Sequence, residues 1–251
     1  MADASQWYKQ IPRFTRYWLT ATVALSLLCR FEIVPSRWSY LSRYNVWNQM
    51  QLWRCVTSLF VYPLTPSTGF HFLINCYFIT QYGARMEKDQ FGRSPADYLY
   101  LQIIVAALAV VGGLLFNVPF LMDIIVVAIT YIWCQLNKDV IVNFWFGTRF
   151  KAIYLPWILA AMELVFQHNF SSLIGIFIGH FYYFFKFQYP QDLGGPTILD
   201  TPNLIKQYVP DISGGYSGFG APPATRAQGQ RPAAGNAVFG NSWGRGNTLG
   251  H

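Results

Sequence analysis

The stretch from residue 97 to 116, DYLYLQIIVAALAVVGGLLF, has a single charged residue, at its first position, and is otherwise almost entirely apolar. A helix needs roughly 20 mostly apolar residues to cross a lipid bilayer. Five further stretches have a similar character, so the sequence predicts six spans. They lie at about 16–34, 68–85, 97–116, 118–136, 150–167 and 170–188. Because hydrocarbon leaves no partner for free backbone groups, we expect an all-α membrane protein, a six-helix transmembrane bundle.

The composition agrees with this expectation. Only 12% of the 251 residues are charged and 53% are hydrophobic, whereas a soluble domain carries about a quarter charged residues. The formal net charge of +7 suits a membrane protein with basic cytoplasmic loops. No basic helix or RNA-binding motif accompanies it, so we expect no nucleic-acid partner.

Lys and Arg are distributed asymmetrically about the six spans. They occur in the N-terminal segment, in the second and fourth loops and in the C-terminal segment, but not in the third and fifth loops. The positive-inside rule therefore predicts that both termini are cytosolic. The long first loop, about 35–67, is an exception, since it carries Arg37, Arg43 and Arg54 on the other side. It is also rich in Trp and Tyr, which favours a position in the membrane interface.

The composition changes after residue 188. The segment becomes rich in Gly, Pro, Ala and polar residues, and cannot bury enough apolar area to offset its conformational entropy. We therefore predict a membrane domain at 1–188 and a disordered cytoplasmic tail at 189–251. The tail closes on NSWGRGNTLGH, where apolar residues return among glycines.

Polar side chains on the second span are the first candidate site. His71 and Asn75, in HFLIN, lie four residues apart and therefore share one helix face; Gln81 follows on the same span. Polar groups within a span usually face the bundle, where these could donate hydrogen bonds to an oxyanion. They could equally bond neighbouring helices or water near the membrane surface.

Two further patterns combine small, aromatic and basic residues. Trp53 and Arg54 in the first loop could bind phosphate, or could anchor the loop through backbone carbonyls. On the sixth span, Gly175 and Gly179 form a G-x-x-x-G that permits close helix packing, and His180 follows directly. The four cysteines show no metal-binding spacing and are interpreted as free thiols, so we expect no cofactor and no metal.

These patterns, in this order, resemble those of the rhomboid superfamily. A rhomboid protease has H-x-x-x-N on its second span, W-R in its first loop, G-x-S-G on its fourth span and a histidine on its sixth. Here the fourth span, FLMDIIVVAITYIWCQLN, has neither serine nor glycine; Thr130 and Cys134 are its only groups able to attack. The resemblance therefore implies a pseudoprotease, not an enzyme.

A more specific resemblance, covering nearly the whole chain, is to the Derlin family of rhomboid-like pseudoproteases. The segments that resemble Derlin sequences are IPRFTRYW, QLWRCVTSLF, RSPADYLY, QLNKDVIVNFWFGTRFKAIYLPW, GHFYYFFKFQYPQDLGG, SGFGAPPA and WGRGNTLG. The resemblance implies an endoplasmic reticulum protein that helps to move misfolded proteins from the lumen to the cytosol. It also implies coupling to membrane ubiquitin ligases and assembly into homo-oligomers.

The terminal motif implies a further partner. In Derlins, an aromatic residue with spaced glycines and a leucine recruits the AAA ATPase valosin-containing protein. On this chain that motif falls on Trp243, Gly244, Gly246 and Leu249.

The resulting hypothesis is a rhomboid-like bundle that thins the membrane and holds a hydrophilic cavity. We expect His71, Asn75 and Gln81 to line or support that cavity, and Gly175 and Gly179 to pack the sixth span. An intramembrane protease and a small-molecule channel are the alternatives. Asp123 lies early in the fourth span, where an interfacial position is one alternative; the sequence leaves open whether Asp123 and Glu163 are buried or interfacial.

Overall fold

The structure is a computed structural model that describes residues 2–144, 147–192, 194–196 and 198–209. These residues are mostly helical. The helices of the first part are α1 (Ala2–Gln10), α2 (Arg13–Arg30), α3 (Arg43–Trp47), α4 (Trp53–Phe60), α5 (Gly69–Phe78) and α6 (Pro95–Phe116). Those of the second part are α7 (Met122–Leu136), α8 (Leu155–Gln167), α9 (Ser171–Tyr183), α10 (Tyr189–Asp192) and α11 (Asn203–Tyr208).

Helix α6 matches the third predicted span. It begins at Pro95, whose ring suits the first helical turn, and ends at Phe116; the following residue, Asn117, caps it in a left-handed conformation with φ 57°. Within the described residues, it is the one helix long and apolar enough to cross a membrane, with a mean hydropathy of 2.4 over its most apolar window. Shorter apolar helices span Met122–Leu136 and Ala152–Gln167.

Helix α7, in the fourth predicted span, lies at the centre of the molecule. Every residue from Met122 to Cys134 is buried. Where α7 packs against α9, the two backbones are so close that the contact positions on α9 have no room for a side chain. A Cβ atom added at Gly175 would lie 2.7 Å from the carbonyl oxygen of Ile124, and one at Gly179 would lie 2.8 Å from that of Ala128.

Two of the predicted spans extend beyond their α-helices as π-helical turns. Helix α5 continues through π-helical residues 79–83 and 86–90, and α9 continues through residues 184–188 into α10. The start of α2 is hydrogen-bonded to the π-helical segment 86–90 that ends the α5 extension. The buried carboxylate of Glu87 accepts hydrogen bonds from the backbone N–H groups of Phe14 at 3.0 Å and Thr15 at 2.8 Å. A carboxylate at this position also complements the positive end of the α2 dipole.

The long first loop contains a 3-10 turn at Ser36–Trp38 and the short helices α3 and α4. Its large aromatic side chains point outward: Trp38, Trp47 and Trp53 are all more than half exposed. The loop therefore presents an aromatic surface, as its sequence suggests.

The prediction of an all-α chain is wrong in the fourth loop. Strands β1 (Ile141–Asn143) and β2 (Arg149–Lys151) form an antiparallel hairpin, with Val142 opposite Phe150. Gly147, between them, has φ 74°, a conformation that suits glycine in a turn. Because Lys151 is the last strand residue, the fifth predicted span starts later than residue 150, at the 3-10 turn Ala152–Tyr154 and α8.

The predicted membrane domain ends at residue 188, and the structure describes ordered elements after this boundary. Helices α10 and α11 lie beyond it, and Thr201 is buried with its hydroxyl donating to the side chain of Asp97 on α6. Amino-acid composition alone does not predict that this segment is ordered, because Asp97, the partner of Thr201, lies about a hundred residues away in sequence. The remainder of the predicted tail, from residue 210, lies outside the described residues.

Candidate functional site

His71 and Asn75 contact each other and a third side chain from a different helix. They lie one turn apart on α5, with the Nδ2 atom of Asn75 3.3 Å from the Nδ1 atom of His71. The same Nδ2 atom donates a hydrogen bond to Oδ1 of Asp123, in the first turn of α7. The His71 Nδ1 atom is itself 3.5 Å from this carboxylate oxygen. Asn75 and Asp123 are buried, only 4% and 6% exposed. Asp123 therefore lies inside the bundle, a position that the sequence alone leaves open.

Two residues outside these helices extend the cluster. Gln167, the last residue of α8, donates from Nε2 to the hydroxyl oxygen of Tyr62 at 3.1 Å. This leaves the phenol hydrogen free to donate to Nδ1 of His71, 2.8 Å away. Burial, and then the nearby charge of Asp123, raise the pKa of Tyr62 well above its usual range, so the phenol remains protonated. We call Tyr62, His71, Asn75, Asp123 and Gln167 the polar network.

The polar network borders a cavity of about 130 Å³ between α5, α7, α8 and the start of α9, which we call the α5–α8 cavity. The polar side chains that line it are Ser67, His71, Asn75, Asp123, Gln167 and Ser172. Tyr62 supports His71 from behind and is not among the lining residues. An apolar bundle thus contains a small space with several hydrogen-bonding groups.

Glu163, whose burial the sequence left open, is 1% exposed. Its carboxylate accepts a hydrogen bond from the backbone N–H of Ser172 at 2.7 Å and another from the hydroxyl of Ser171. Both groups belong to the first turn of α9, whose free N–H groups need acceptors. Glu163 therefore caps α9, and this role accounts for its burial.

Gln81, predicted to share the cavity with His71 and Asn75, does not line it. It lies six residues after Asn75, in the π-helical turn 79–83, and is half-buried. At 3.6 residues per turn, six residues rotate a side chain by roughly 240°, away from the face of Asn75. A shared span is therefore not enough to bring these groups together.

His180 has a different partner from the polar network. It is exposed on α9, and its Nδ1 atom lies 3.0 Å from the hydroxyl of Tyr131 on α7. Thr130 is buried and donates to the carbonyl oxygen of Val126 at 2.8 Å, as a structural hydroxyl does. Within the described part of the chain, both His71 and His180 thus have a phenol as their hydroxyl partner.

Arg54 is held inside the first loop. Its guanidinium donates to the carbonyl oxygens of Arg37 at 2.5 Å and Tyr40 at 3.1 Å, and to Oε1 of Gln51 at 2.6 Å. Trp53, beside it, is exposed. The carbonyl-bonding alternative considered for Arg54 is thus the geometry found, and no ligand is needed to explain it.

The tail residues Trp243, Gly244, Gly246 and Leu249 lie outside the described residues. Among the described residues, no group of three His, Cys, Asp or Glu side chains could hold a metal ion. Asp123 stands out in the sequence as a charge in an apolar run, but nothing in the sequence links it to Asn75. Tyr62 is interpreted there as one of the interfacial aromatics of the first loop, and Gln167 carries no signal of its own.

Together, the apolar helices, the outward aromatic loop and the enclosed polar cavity define a helical membrane protein. Comparison with known proteins identifies its family. A sequence model of the Der1-like family matches residues 11–203. The chain is 62% identical over 248 residues to Derlin-1 of Drosophila melanogaster, covering 99% of each protein.

Two more distant relatives agree. The chain is 40% identical to human Derlin-1 over 253 residues, which covers 100% of this chain and 99% of the human protein. It is 38% identical to Derlin-1 of Caenorhabditis elegans over 217 residues, covering 86% and 88% of the two proteins. The chain therefore belongs to the Der1-like family. This membership makes it an endoplasmic reticulum membrane protein with a role in endoplasmic-reticulum-associated degradation.

Proposed function

We propose that the protein acts without catalysis in retrotranslocation, helping misfolded proteins to cross from the lumen of the endoplasmic reticulum to the cytosol. The observation that carries this proposal is the α5–α8 cavity: a polar space in a bundle whose outer surface is apolar. A polypeptide crossing hydrocarbon leaves backbone groups without partners, at a cost of several kcal/mol each. Polar side chains inside the membrane lower that cost at the step where the polypeptide enters.

The proposed topology has six spans with both termini in the cytosol. The connections α4–α5, α6–α7 and α8–α9 then face the lumen. The α5–α8 cavity lies near the luminal ends of α5, α7, α8 and α9, since it is lined by Ser67 just before α5, Asp123 at the start of α7 and Gln167 at the end of α8. In this topology the cavity faces the compartment from which misfolded proteins come.

The proposed partners follow from the family and from the tail. Trp243, Gly244, Gly246 and Leu249 recruit the AAA ATPase valosin-containing protein, which supplies the pulling force on the cytosolic side. A membrane ubiquitin ligase complex marks the emerging substrate, and copies of the chain assemble into homo-oligomers. The cavity thus acts where the misfolded polypeptide enters the membrane from the lumen, and the tail acts where the polypeptide leaves it on the cytosolic side.

A peptide-binding experiment tests the recruitment step. A synthetic peptide of residues 239–251 is titrated against the purified N-terminal domain of the ATPase by fluorescence anisotropy. We expect binding that is lost in Gly246→Ala and Leu249→Ala peptides, because the motif depends on a close backbone approach and an apolar anchor. An Asn247→Ala peptide, altered at a spacing position, is the matched control and should retain binding. Absence of wild-type binding at high micromolar peptide would contradict recruitment through the tail.

A further inference from the structure

We propose that the α5–α8 cavity is a recognition site for a cationic side chain, the guanidinium of arginine or the ammonium of lysine, on a translocating polypeptide. The inference rests on the proposed function, because it names the chemistry by which that function selects its substrate. The carboxylate of Asp123 is the group that binds the cation.

The first argument is charge. Asp123 is only 6% exposed, and its hydrogen-bond donor is the neutral amide of Asn75. A buried carboxylate is costly unless it is paired with a cation. No lysine or arginine is among the residues that line the α5–α8 cavity in the described structure. Arg54, the buried arginine of the first loop, is already bonded to the carbonyl oxygens of Arg37 and Tyr40.

His71 does not replace the missing cation. Its Nδ1 atom is 3.5 Å from Asp123, longer than a normal hydrogen bond, and 2.8 Å from the hydroxyl of Tyr62. Because Tyr62 accepts from Gln167, the arrangement favours a neutral imidazole that accepts from the phenol. Nor does Glu163 compete for a ligand, since its two oxygens are bonded to the first turn of α9. Asp123 thus differs from Glu163 in having no structural cap to serve.

The second argument is size. A cavity of about 130 Å³ holds about four water molecules at ~30 Å³ each. A guanidinium group, with four non-hydrogen atoms, fits in this space, whereas a folded segment or a helix does not. Around Asp123, the side-chain oxygens of Ser67, Asn75, Gln167 and Ser172 provide acceptors for the remaining N–H groups of such a ligand.

The third argument is access. Phe70 and Phe166 line the same cavity from α5 and α8, and they are 61% and 70% exposed, so they form its outer edge. Aromatic faces attract ammonium and guanidinium groups. Met162 adds a flexible apolar contact for the stem of a long side chain. Lysine and arginine have this combination of an apolar stem and a charged end.

The test uses the full-length protein in lipid nanodiscs. The probe is a fluorescent peptide of Gly and Ser with one central arginine, and its partner peptide carries citrulline, which is neutral and almost isosteric. We expect wild type to bind the arginine peptide about tenfold more tightly, a typical effect of one charge-assisted hydrogen-bonded pair. In Asp123→Asn this preference should vanish. Asp139→Asn removes the same charge from an exposed loop position and should keep it.

A competition experiment removes dependence on the folding of the Asp123 variant. Methylguanidinium should displace the arginine peptide from wild type, whereas neutral urea at the same concentration should not. The inference is wrong if wild type does not distinguish arginine from citrulline, if methylguanidinium and urea compete equally, or if a folded Asp123→Asn variant keeps the preference. Binding of the tail to the ATPase on the same nanodiscs is measured separately, so failure of the cation site and failure of the proposed route are distinguishable.

Discussion

At the residue scale, Arg54 shows how one buried cation can organise an irregular loop. Arg54→Lys should destabilise the protein by about 1–3 kcal/mol, because a lysine cannot reach the Arg37 and Tyr40 carbonyl oxygens and Gln51 from one planar group. Thermal unfolding followed by intrinsic fluorescence in detergent micelles measures the change. The loss of stability should appear without any change in the elution volume of the purified protein in size-exclusion chromatography.

The control for this prediction is Arg37→Lys. Arg37 supplies only its backbone carbonyl to Arg54, and its own side chain is exposed, so this substitution should leave the unfolding temperature unchanged. Equal destabilisation by the two substitutions, both of which keep the positive charge, would contradict the prediction, because the effect would then not depend on the hydrogen bonds of the Arg54 guanidinium.

The polar network shows what residue patterns can and cannot predict. The four-residue spacing of His71 and Asn75 is local, and it correctly places both on one helix face. Their contact with Asp123 depends on how α5 packs against α7, across nearly fifty residues of sequence. An acidic residue at the start of an apolar run suits an interface when considered alone. The amide of Asn75, supplied by another helix, gives the carboxylate of Asp123 a hydrogen-bond donor inside the bundle.

At the scale of elements, the packing of α9 on α7 leaves no space for a methyl group. Gly179→Ala should cost about 1–3 kcal/mol, since its Cβ would lie 2.8 Å from the carbonyl oxygen of Ala128 and the backbone would have to move. The free energy of unfolding in a mixed-micelle denaturant titration measures the change. Gly69→Ala is the matched control, because a Cβ there meets nothing within 4 Å. Retention of full stability in Gly179→Ala would show that the two helices can separate freely.

The elements that escaped prediction owe their form to partners distant in sequence or to special backbone conformations. Apolar runs were sufficient to locate the cores of α2, α5, α6, α7, α8 and α9. The hairpin β1–β2 depends on the pairing of Ile141 with Lys151 and on the turn at Gly147, inside a block that has no clear alternation. Helix α11 is too short to be stable alone, and it is preceded by Thr201, which binds Asp97.

At the scale of the whole molecule, the two sides of the bundle differ in thickness. Helix α6 has 22 residues, which gives about 33 Å at 1.5 Å per residue. Helix α8 has 13, about 20 Å, and the three-residue 3-10 turn before it adds about 6 Å. A typical hydrocarbon core is about 30 Å thick, and that of the endoplasmic reticulum is a few Å thinner. If α8 spans the membrane as proposed, it and its preceding turn are about 7 Å shorter than α6 and a few Å shorter than a typical core, and its exposed Trp157, Val165 and Phe166 would contact the lipid.

This mismatch predicts that stability depends on bilayer thickness. In nanodiscs of phosphatidylcholines whose chains lengthen from myristoleoyl to erucoyl, the unfolding temperature should be highest in the shorter, palmitoleoyl-like lipids. It should then fall by a few degrees toward erucoyl, because each Å of mismatch costs a fraction of a kcal/mol. Keeping the headgroup constant removes electrostatic effects, and micelles of one detergent provide a reference without a fixed thickness. A maximum in the longest lipids would contradict the prediction and would mean that α8 does not contact lipid along its length. A maximum in the thin bilayers would support the view that this protein distorts the membrane beside its polar cavity, where a polar chain would have the shortest hydrocarbon path to cross.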